Sequence, residues 1–387
     1  MYKFCALPTI PAKMELFETT EGTTAFFVPV QDTRTQFPPG TAPVFFNRRM
    51  ELNRDATILL LSVLRPSGYL DAMGATGVRG LRVASECGIP VTINDRDPEA
   101  IRVIKKNVGH TGLPVTVTHR DVNALLSEES FDAVDLDPFG TPAPFVDAGV
   151  RGSRRFLFVT ATDTAPLCGA HLKAGMRRYG ARPMNTEYHG EVGLRIFLAF
   201  VARETARYDR GITPLFCFAR EHYARLHVRL TRGATAADET LARLGFVLQC
   251  PSCPYRVEQH GQFPATMACP ACGSPLQPIG PLWLGSISQP ELLDRMIGQV
   301  ETMVLGTKKE LVTLLGLCRD ELPTASFFDY HKIAKKLNVS PPPITTVIDR
   351  LRAGGFPASR THFSGYGIKT DAPLPILLAA IRTPDRP

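Results

Sequence analysis

Between residues 69 and 160 the chain alternates short apolar strands with helices, and this alternation restricts the fold more than any other feature. A strand at 69–72 runs into the turn Gly74-Ala-Thr-Gly77-Val-Arg79-Gly80, and a helix follows at 81–87. A second strand at 91–94 ends at Asp95. Asp97 then caps a helix that has Pro98 at its first position and runs to about residue 108. A third strand at 115–118 ends near Asp121, a fourth at 131–136 ends at Asp137, and a fifth spans 156–160. Parallel neighbours need crossovers long enough to hold a helix, so the pattern predicts an α/β fold with a Rossmann-like, doubly wound sheet.

Other segments flank this sheet. Residues 14–30 read as strand, Gly22 turn, strand, followed by a Pro/Gly-rich linker at 31–43. A buried helix is expected at about 53–64, ended by Pro66 and Gly68. The texture changes after residue 232, which divides the chain into expected domains 1–232 and 233–387. In the second, Ser288 with Glu291 and Thr307 with Glu310 fit the capping box. Helices at 327–337 and 344–352, the latter stopped by Gly354-Gly355, precede a hairpin at 361–370. Helices closing on a hairpin predict an α+β domain with a winged-helix-like end.

The glycine turn lets the backbone bend tightly and approach a ligand, as in methyl-donor enzymes and in nucleotide-dependent dehydrogenases. Asp95 lies 24 residues after Asp71, at a strand end where an acid accepts hydrogen bonds from ribose hydroxyls. Asp97 already serves as helix cap, which leaves Asp95 for a ligand. Asp121 is placed to accept from an adenine amino group, and Val122 to offer a backbone contact to the same ring.

Asp135-Leu-Asp137-Pro138-Phe139-Gly140 carries the most chemistry. An exocyclic amine on a conjugated ring is a poor nucleophile because its lone pair is delocalised. The Asp137 carboxylate and the Pro138 carbonyl can each accept one amine hydrogen, which orients the nitrogen and frees the lone pair. Phe139 can stack on the base, and Asp137 can take the proton released by direct methyl transfer. A strand-end Asp-Pro turn is the purely structural alternative.

Three further stretches are as distinctive: Val44-Phe45-Phe-Asn47-Arg-Arg-Met50-Glu-Leu-Asn53-Arg54-Asp55, Thr160-Ala-Thr-Asp163-Thr-Ala-Pro-Leu-Cys-Gly169, and Arg360-Thr-His-Phe363 with Gly367-Ile-Lys-Thr370. Together with the two motifs above, they make the chain resemble the tRNA (guanine-26-N2) dimethyltransferase family of class I S-adenosylmethionine-dependent enzymes, over about residues 43–373. The resemblance implies that Arg54, Arg79, Asp95, Asp121 and Val122 line the methyl-donor pocket together with Asp71, Gly74 and Gly77. It makes Asp137 the acid–base group and sets Phe45 and Phe139 around a flipped guanine. Arginines suit a cofactor that bears a carboxylate, although Arg54 or Arg79 can instead pair with Glu51, Asp55 or Asp71. Asp163 is read either as a base-pocket residue or as a helix cap. Met73 and Ala75 depart from the glycines that other methyltransferases carry in this loop. Some family members also modify a neighbouring guanine.

Four of the nine cysteines cluster as Cys250-Pro-Ser-Cys253 and Cys269-Pro-Ala-Cys272, and the rest are scattered. Two knuckles of this spacing predict tetrahedral, structural zinc rather than a disulfide framework, and a reducing, cytoplasmic setting. No long apolar run or leader-like start is visible, so a soluble protein without membrane contact is expected, most simply a monomer.

The net charge is +7. Residues 173–232 hold twelve Lys and Arg against five Asp and Glu, an excess equal to that of the whole chain. With the 360–369 hairpin, this segment is the expected grip on tRNA. A dehydrogenase would leave Asp137-Pro138-Phe139 idle. Amino methyltransferases of DNA adenine, rRNA guanine or protein side chains share the motif but lack the family-wide match.

Overall fold

The computed structural model describes residues 14–30 and 44–382; the linker expected at 31–43 and the N-terminal residues lie outside them. Strands β1 (Leu16–Glu21) and β2 (Thr24–Pro29) form the expected hairpin, turning at Gly22 with φ +58°. Helix α1 (Glu51–Leu64) is buried on every side, with Asn53, Arg54, Asp55 and Thr57 buried beside its leucines. A helix buried all round must satisfy its polar groups within the protein, and those four residues supply much of the site described below.

The central sheet then builds outward from its middle strand. In chain order come β3 (Tyr69–Asp71), α2 (Val78–Cys87), β4 (Val91–Asp95), α3 (Pro98–Thr111), β5 (Thr116–His119), α4 (Val122–Glu128), β6 (Phe131–Leu136), α5 (Val146–Gly152) and β7 (Ser153–Ala161). Asp97 caps α3 as expected, its carboxylate accepting from the Glu99 N–H at 2.8 Å. Residues 162–232 supply α6 (Thr164–Leu167), α7 (Leu172–Tyr179), α8 (His189–Ala206), β8 (Arg210–Pro214), β9 (Phe218–Arg220) and β10 (Tyr223–Arg232). The strand order is β5-β4-β3-β6-β7-β10-β8, parallel from β5 to β7 and antiparallel beyond, with β9 on β10. The order reverses direction at β3. That reversal opens a crevice at the carboxyl ends of β3, β4 and β6, where ligands of such sheets bind.

Alternation along β10 separates two faces. Ala224, Leu226 and Val228 pack towards α8, whereas Tyr223 packs with Phe158, Phe216 and Phe218 on the α1 side. The next elements are α9 (Ala234–Leu241), β11 (Leu244–Gln249), β12 (Arg256–His260) and β13 (Gln277–Trp283), a small antiparallel sheet in the order β12-β11-β13. Then α10 (Pro290–Gln299) and α11 (Lys308–Asp320) return to pack on α1. The chain closes with β14 (Phe328–Asp329), α12 (Tyr330–Lys336), α13 (Ile344–Ala353), β15 (Ala358–Thr361), β16 (Ser364–Thr370) and α14 (Leu374–Ile381). These last elements, with a β14-β16-β15 sheet, enclose their own small core around Ile333, Val347, Leu351 and Ile368. By contrast, apolar packing is continuous across residue 232, for example from Leu226 to Val247 and Leu282.

Neither capping box forms. Gln289, not Ser288, precedes α10, and the Ser288 hydroxyl donates to the Cys318 carbonyl at 2.9 Å. Thr307 does sit at the start of α11, but its hydroxyl and N–H both turn to Asp55, at 2.7 and 2.9 Å. A buried carboxylate needs donors more than a helix end open to water does. Among the described residues no helix is long and apolar enough to cross a membrane.

Candidate active site

The turn after β3 is held by side chains that sequence spacing alone does not pair. The Gly74 N–H donates to the Asn94 carbonyl at 2.8 Å, and a Cβ at Gly74 would come within 2.5 Å of Ile93. Gly77 has φ +79°. Ala75, at φ +50°, adopts the left-handed region without being glycine, and its N–H is anchored on an Asp95 oxygen at 2.9 Å. The other Asp95 oxygen accepts from the Asp97 N–H at 2.9 Å.

Two adjoining cavities open over this turn, of about 290 and 350 Å³. They share Phe45, Met73, Ala75, Asp137, Pro138 and Phe139. The first continues past Arg54, Asp71, Gly74 and Arg79, and the second past Asp95, Asp121 and Val122. Gly77 shapes the turn without lining either. Asp121 is also the cap of α4: one of its oxygens accepts from the Asn123 and Ala124 N–H groups at 2.9 and 3.2 Å. Asp71 is buried, and its carboxylate accepts from the Gly80 N–H at 2.9 Å. Burial pushes its pKa up to about 7, in spite of the attraction of Arg79.

Asp137 ends a chain of buried charges. Arg79 pairs with it directly and also donates to Asn53 Oδ1 and Thr57 Oγ1 of α1, at 3.0 and 3.1 Å. Behind Arg79 lies Asp135, 3.8 Å away and fully buried. Arg225 forks both Asp135 oxygens at 2.7 and 2.6 Å, and the Tyr69 hydroxyl donates to one of them at 2.6 Å. Burial alone would raise the Asp135 pKa, but the guanidiniums of Arg225 and Arg79 outweigh it and hold the group at about 2. His227 accepts from Arg225 Nε at 3.1 Å through Nε2 and donates from Nδ1 to the Phe216 carbonyl at 2.7 Å. Burial and Arg225 keep that ring neutral. Asp135 and Arg225 escape motif reading. The available signal is a charge inside an otherwise apolar strand, which needs an opposite charge on a neighbouring one.

Arg54 pairs with neither Glu51, Asp55 nor Asp71. It forks Glu21 of the N-terminal hairpin at 2.7 and 2.5 Å and donates to the Asn47 carbonyl at 3.1 Å. Glu21 lies thirty-three residues upstream, beyond the reach of local pattern. Phe45 and Phe139 meet edge to face at 5.5 Å, and Phe139 is 81% exposed. The loop behind Phe139 is braced. The Gly140 N–H donates to Thr162 Oγ1 at 2.8 Å, and the Thr141 hydroxyl lies 3.0 Å from that of Tyr179. Asp163 completes this brace rather than capping α6: it accepts from the Tyr179 hydroxyl at 2.5 Å and from Arg178 at 3.0 Å.

The four clustered cysteines converge, with Cys250 and Cys272 sulfurs 3.4 Å apart and those of Cys253 and Cys269 3.6 Å apart. The basic segment is less uniform than its composition. Arg195 and Arg225 are fully buried, and Arg210 is spent on the carbonyls of Val150 and Arg154. Lys369, expected on an RNA-facing hairpin, is buried between Glu191 and Glu321 at 2.5 and 3.0 Å. Exposed charge remains at Lys173, Arg177, Arg178, Arg182, Arg207, Arg229 and Arg232, and at Arg360.

A reversed parallel sheet, a glycine turn after its middle strand and an Asp-Pro-Phe corner beside it define a methyltransferase of the Rossmann-like class. The sequence profile described as "N2,N2-dimethylguanosine tRNA methyltransferase" matches residues 24–382, and the chain belongs to that family. Proteins named tRNA (guanine(26)-N(2))-dimethyltransferase are similar to it nearly end to end. The one from Methanoregula boonei is 69% identical, covering 97% of this chain and 100% of its own, and the one from Methanosphaerula palustris is 60% identical, covering 95% and 99%. The solved structure of Trm1 from Pyrococcus horikoshii with S-adenosyl-L-methionine superposes with a TM-score of 0.86 at 35% identity, over 95% of this chain and all of that one.

Proposed function

We propose that this chain transfers methyl groups from S-adenosylmethionine to the exocyclic N2 of guanine 26 in tRNA, one and then a second. The observation that carries this reading is the corner shared by the two cavities. There Asp137 and Pro138 stand beside the Phe45–Phe139 pair at the end of β6.

The residues around the crevice suit the methyl donor. Arg54 commits Nε and Nη2 to protein acceptors and, among the described residues, leaves Nη1 open for a carboxylate. Asp95 suits ribose hydroxyls, and Asp121 with the Val122 backbone suits an adenine edge. When bound, S-adenosylmethionine supplies an electrophilic methyl on a positively charged sulfur. The chain's own work is to prepare the amine. The Asp137 carboxylate and the Pro138 carbonyl accept its two hydrogens, which turns the nitrogen lone pair towards the donor side. Phe45 and Phe139 hold the extruded base. Asp137 takes the proton released from the methylated nitrogen and, being 21% exposed, can pass it to water before a second round. Arg79 fixes the direction of that carboxylate and is itself fixed by Asp135, Asn53 and Thr57.

The proposal extends to zinc. Four thiolates about 2.3 Å from one ion would stand about 3.8 Å apart, close to the spacing of these sulfurs. Cys250, Cys253, Cys269 and Cys272 would hold it as a closed staple under β11 and β12. Removing metal with a chelator is expected to lower the melting temperature and expose residues 250–276 to protease. An unchanged melt after verified metal removal would overturn this part. We also read residues 233–387 as the RNA-holding part, with a winged-helix-like end formed by α12, α13 and the β15–β16 hairpin.

The test of the main reading uses labelled S-adenosylmethionine and two tRNA transcripts, with guanine or adenine at position 26. Label recovered as N2-methylated guanine from the first alone is the expected result. Label in both would move the target, and label in neither, with donor binding verified, would refute the reading.

A further inference from the structure

Accepting two amine hydrogens does not by itself select guanine. The Asp137 carboxylate and the Pro138 carbonyl would take the N6 amine of adenine or the N4 amine of cytosine equally well. What marks guanine is the edge beside the reactive amine, where N1 carries a hydrogen and O6 is a carbonyl. In adenine and cytosine the ring nitrogen beside the amine is a bare acceptor. An enzyme that works on an extruded base reads such an edge by hydrogen bonds, so a reader is needed next to Asp137.

The strand order fixes the side on which the base lies. Along β5-β4-β3-β6-β7-β10, the groups at the carboxyl edge run from Asp121 after β5, through Asp95 after β4 and the glycine turn after β3, to Asp137 after β6. Beyond Asp137 come Thr162, after β7, and His222, just before the antiparallel β10. The groups suited to the methyl donor occupy the first part of this row, which leaves the last part for the base. Thr162 and His222 line the cavity of about 290 Å³ that contains Asp137 and Arg79, and neither lines the one that reaches Asp95 and Asp121. Thr162 Oγ1 is engaged by the Gly140 N–H, so the imidazole of His222 is the group there that the chemistry above has not used.

His222 stands on a rigid support. Arg220 pairs with Tyr223 across β9 and β10, so Glu221 and His222 are the whole two-residue turn of a hairpin. Such a turn needs a positive φ, which Glu221 takes at +51° although it is not glycine. That strained backbone fixes the direction of the residue that follows. Arg220 ties the hairpin to α11 through Glu310 at 2.8 Å. The charge of Asp137 reaches this turn: burial raises the Tyr223 pKa most, and Glu221 and Asp137 add to it.

We propose that His222 reads the N1–O6 edge of the target guanine and so selects it among bases with an exocyclic amine. The proposal rests on the guanine reading of the catalytic cavity. An imidazole suits this edge in either role, giving an N–H to O6 or accepting the N1 hydrogen. With N2 held at Asp137 and Pro138 and the ring held by Phe45 and Phe139, a contact at the neighbouring edge fixes the base within its own plane.

The test pairs two His222 variants with an altered base. 2-Aminopurine keeps the N2 amine but lacks both the N1 hydrogen and O6. Ligated tRNAs carry guanine or 2-aminopurine at position 26, and kcat/KM, S-adenosylmethionine affinity and melting temperature are measured for each protein. Any intrinsic difference between the two amines is common to all the proteins and cancels in the comparison. We expect wild type to lose about tenfold on 2-aminopurine. His222→Ala should lose about as much on guanine and little more on 2-aminopurine, so that the two losses do not add. His222→Gln, whose amide both donates and accepts, should recover much of the loss on guanine. Both variants should melt like wild type and bind the methyl donor equally, since the His222 side chain is 37% exposed and lies on the base side of Asp137. Wild-type kcat/KM for His222→Ala on guanine would overturn the proposal. So would an undiminished 2-aminopurine penalty in that variant, which is what a merely structural role gives. If wild type methylates neither tRNA, the guanine reading of the cavity fails and this proposal falls with it, whereas an active wild type with that undiminished penalty removes His222 alone.

Discussion

Two clusters of charge are buried in this chain, and they are put to different uses. One runs from Arg225 through Asp135 and Arg79 to Asp137 beneath the catalytic cavity. The other joins Glu191, Arg195, Lys369, Glu321 and His362 between α8 and the C-terminal hairpin. Both obey one rule: a charge taken from water persists only where other groups replace the water. In the second cluster the protein supplies nearly all the replacements, Glu191 Oε2 being the one side-chain atom of the cluster left without a hydrogen-bond partner among the described residues. Arg195 donates to the carbonyls of Trp283, Gly285, Pro323 and Thr324 at 2.9–3.0 Å, and Lys369 to that of Thr324 at 2.7 Å. The first cluster stops at a carboxylate that lines a cavity. A closed cluster locks two parts of the molecule together, whereas an open-ended one aims a reactive group.

The sharpest way to break this contrast is to cut each cluster once. Asp137→Asn should lower kcat by about 10²–10⁴ in single-turnover assays. It should barely move the melting temperature, because Arg79 keeps Asp135, Asn53 and Thr57. Lys369→Met should do the reverse. It leaves two buried carboxylates short of a cation and should cost about 3–5 kcal/mol of stability in denaturant titrations. Donor binding by the molecules that remain folded should be unchanged. If Asp137→Asn stayed active, or Lys369→Met melted like wild type, the two clusters would not differ in kind.

The same contrast separates what was legible in the sequence from what was not. The parallel sheet, its glycine turn and the Asp137 corner could be read because strand alternation and strand-end acids are local patterns. Each residue expected at the pocket except Gly77 lines one of the two cavities. The charged clusters are non-local. Arg225 meets Asp135 across ninety residues and Lys369 meets Glu191 across 178, so no window of sequence shows either pairing. Composition was misleading for a related reason. Arg195, Arg225 and Lys369 count as basic surface in a sequence sum, but the fold spends them on buried acids. The capping boxes at Ser288 and Thr307 failed because Asp55 and the Cys318 carbonyl, both distant in sequence, made stronger claims on those hydroxyls.

Within the catalytic cluster, two acids on neighbouring strands sharpen the point. Asp71 and Asp135 stand opposite each other in the β3–β6 register. Burial wins at Asp71, lifting it to about 7, and the guanidiniums win at Asp135, holding it at about 2. An unfolded chain releases such protons near pH 4. Between about pH 4 and 7 the native protein therefore holds one more proton, at Asp71, than the unfolded chain, and this contribution to stability falls as pH rises through that window. Asp135 acts oppositely: its contribution is present above about pH 4 and fades as pH falls towards 2. Asp71→Asn should flatten the stability profile between pH 5 and 7 and leave the loss at lower pH in place. Coincident slopes for variant and wild type between pH 5 and 7 would mean that Arg79 keeps Asp71 ionised in the native state.

The smallest effects belong to charges that joined neither cluster. Lys173 and Arg177 are exposed on α7, whose Arg178 and Tyr179 reach the Phe139 loop through Asp163 and Thr141. Arg232 is also exposed, but it lies at the opposite end of β10 from Tyr223 and the cavities. A tRNA held over the catalytic edge should release counterions from α7 and not from Arg232. Changing Lys173 and Arg177 together to alanine should lower the slope of log affinity against log salt by about 0.7–0.9 for each phosphate that is no longer neutralised. Turnover at saturating tRNA should not change, because neither residue touches the reacting base. Arg232→Ala should leave the slope as it is. Equal slopes for all three proteins would remove α7 from the RNA path and leave Arg360 on the C-terminal hairpin as the exposed charge to test next.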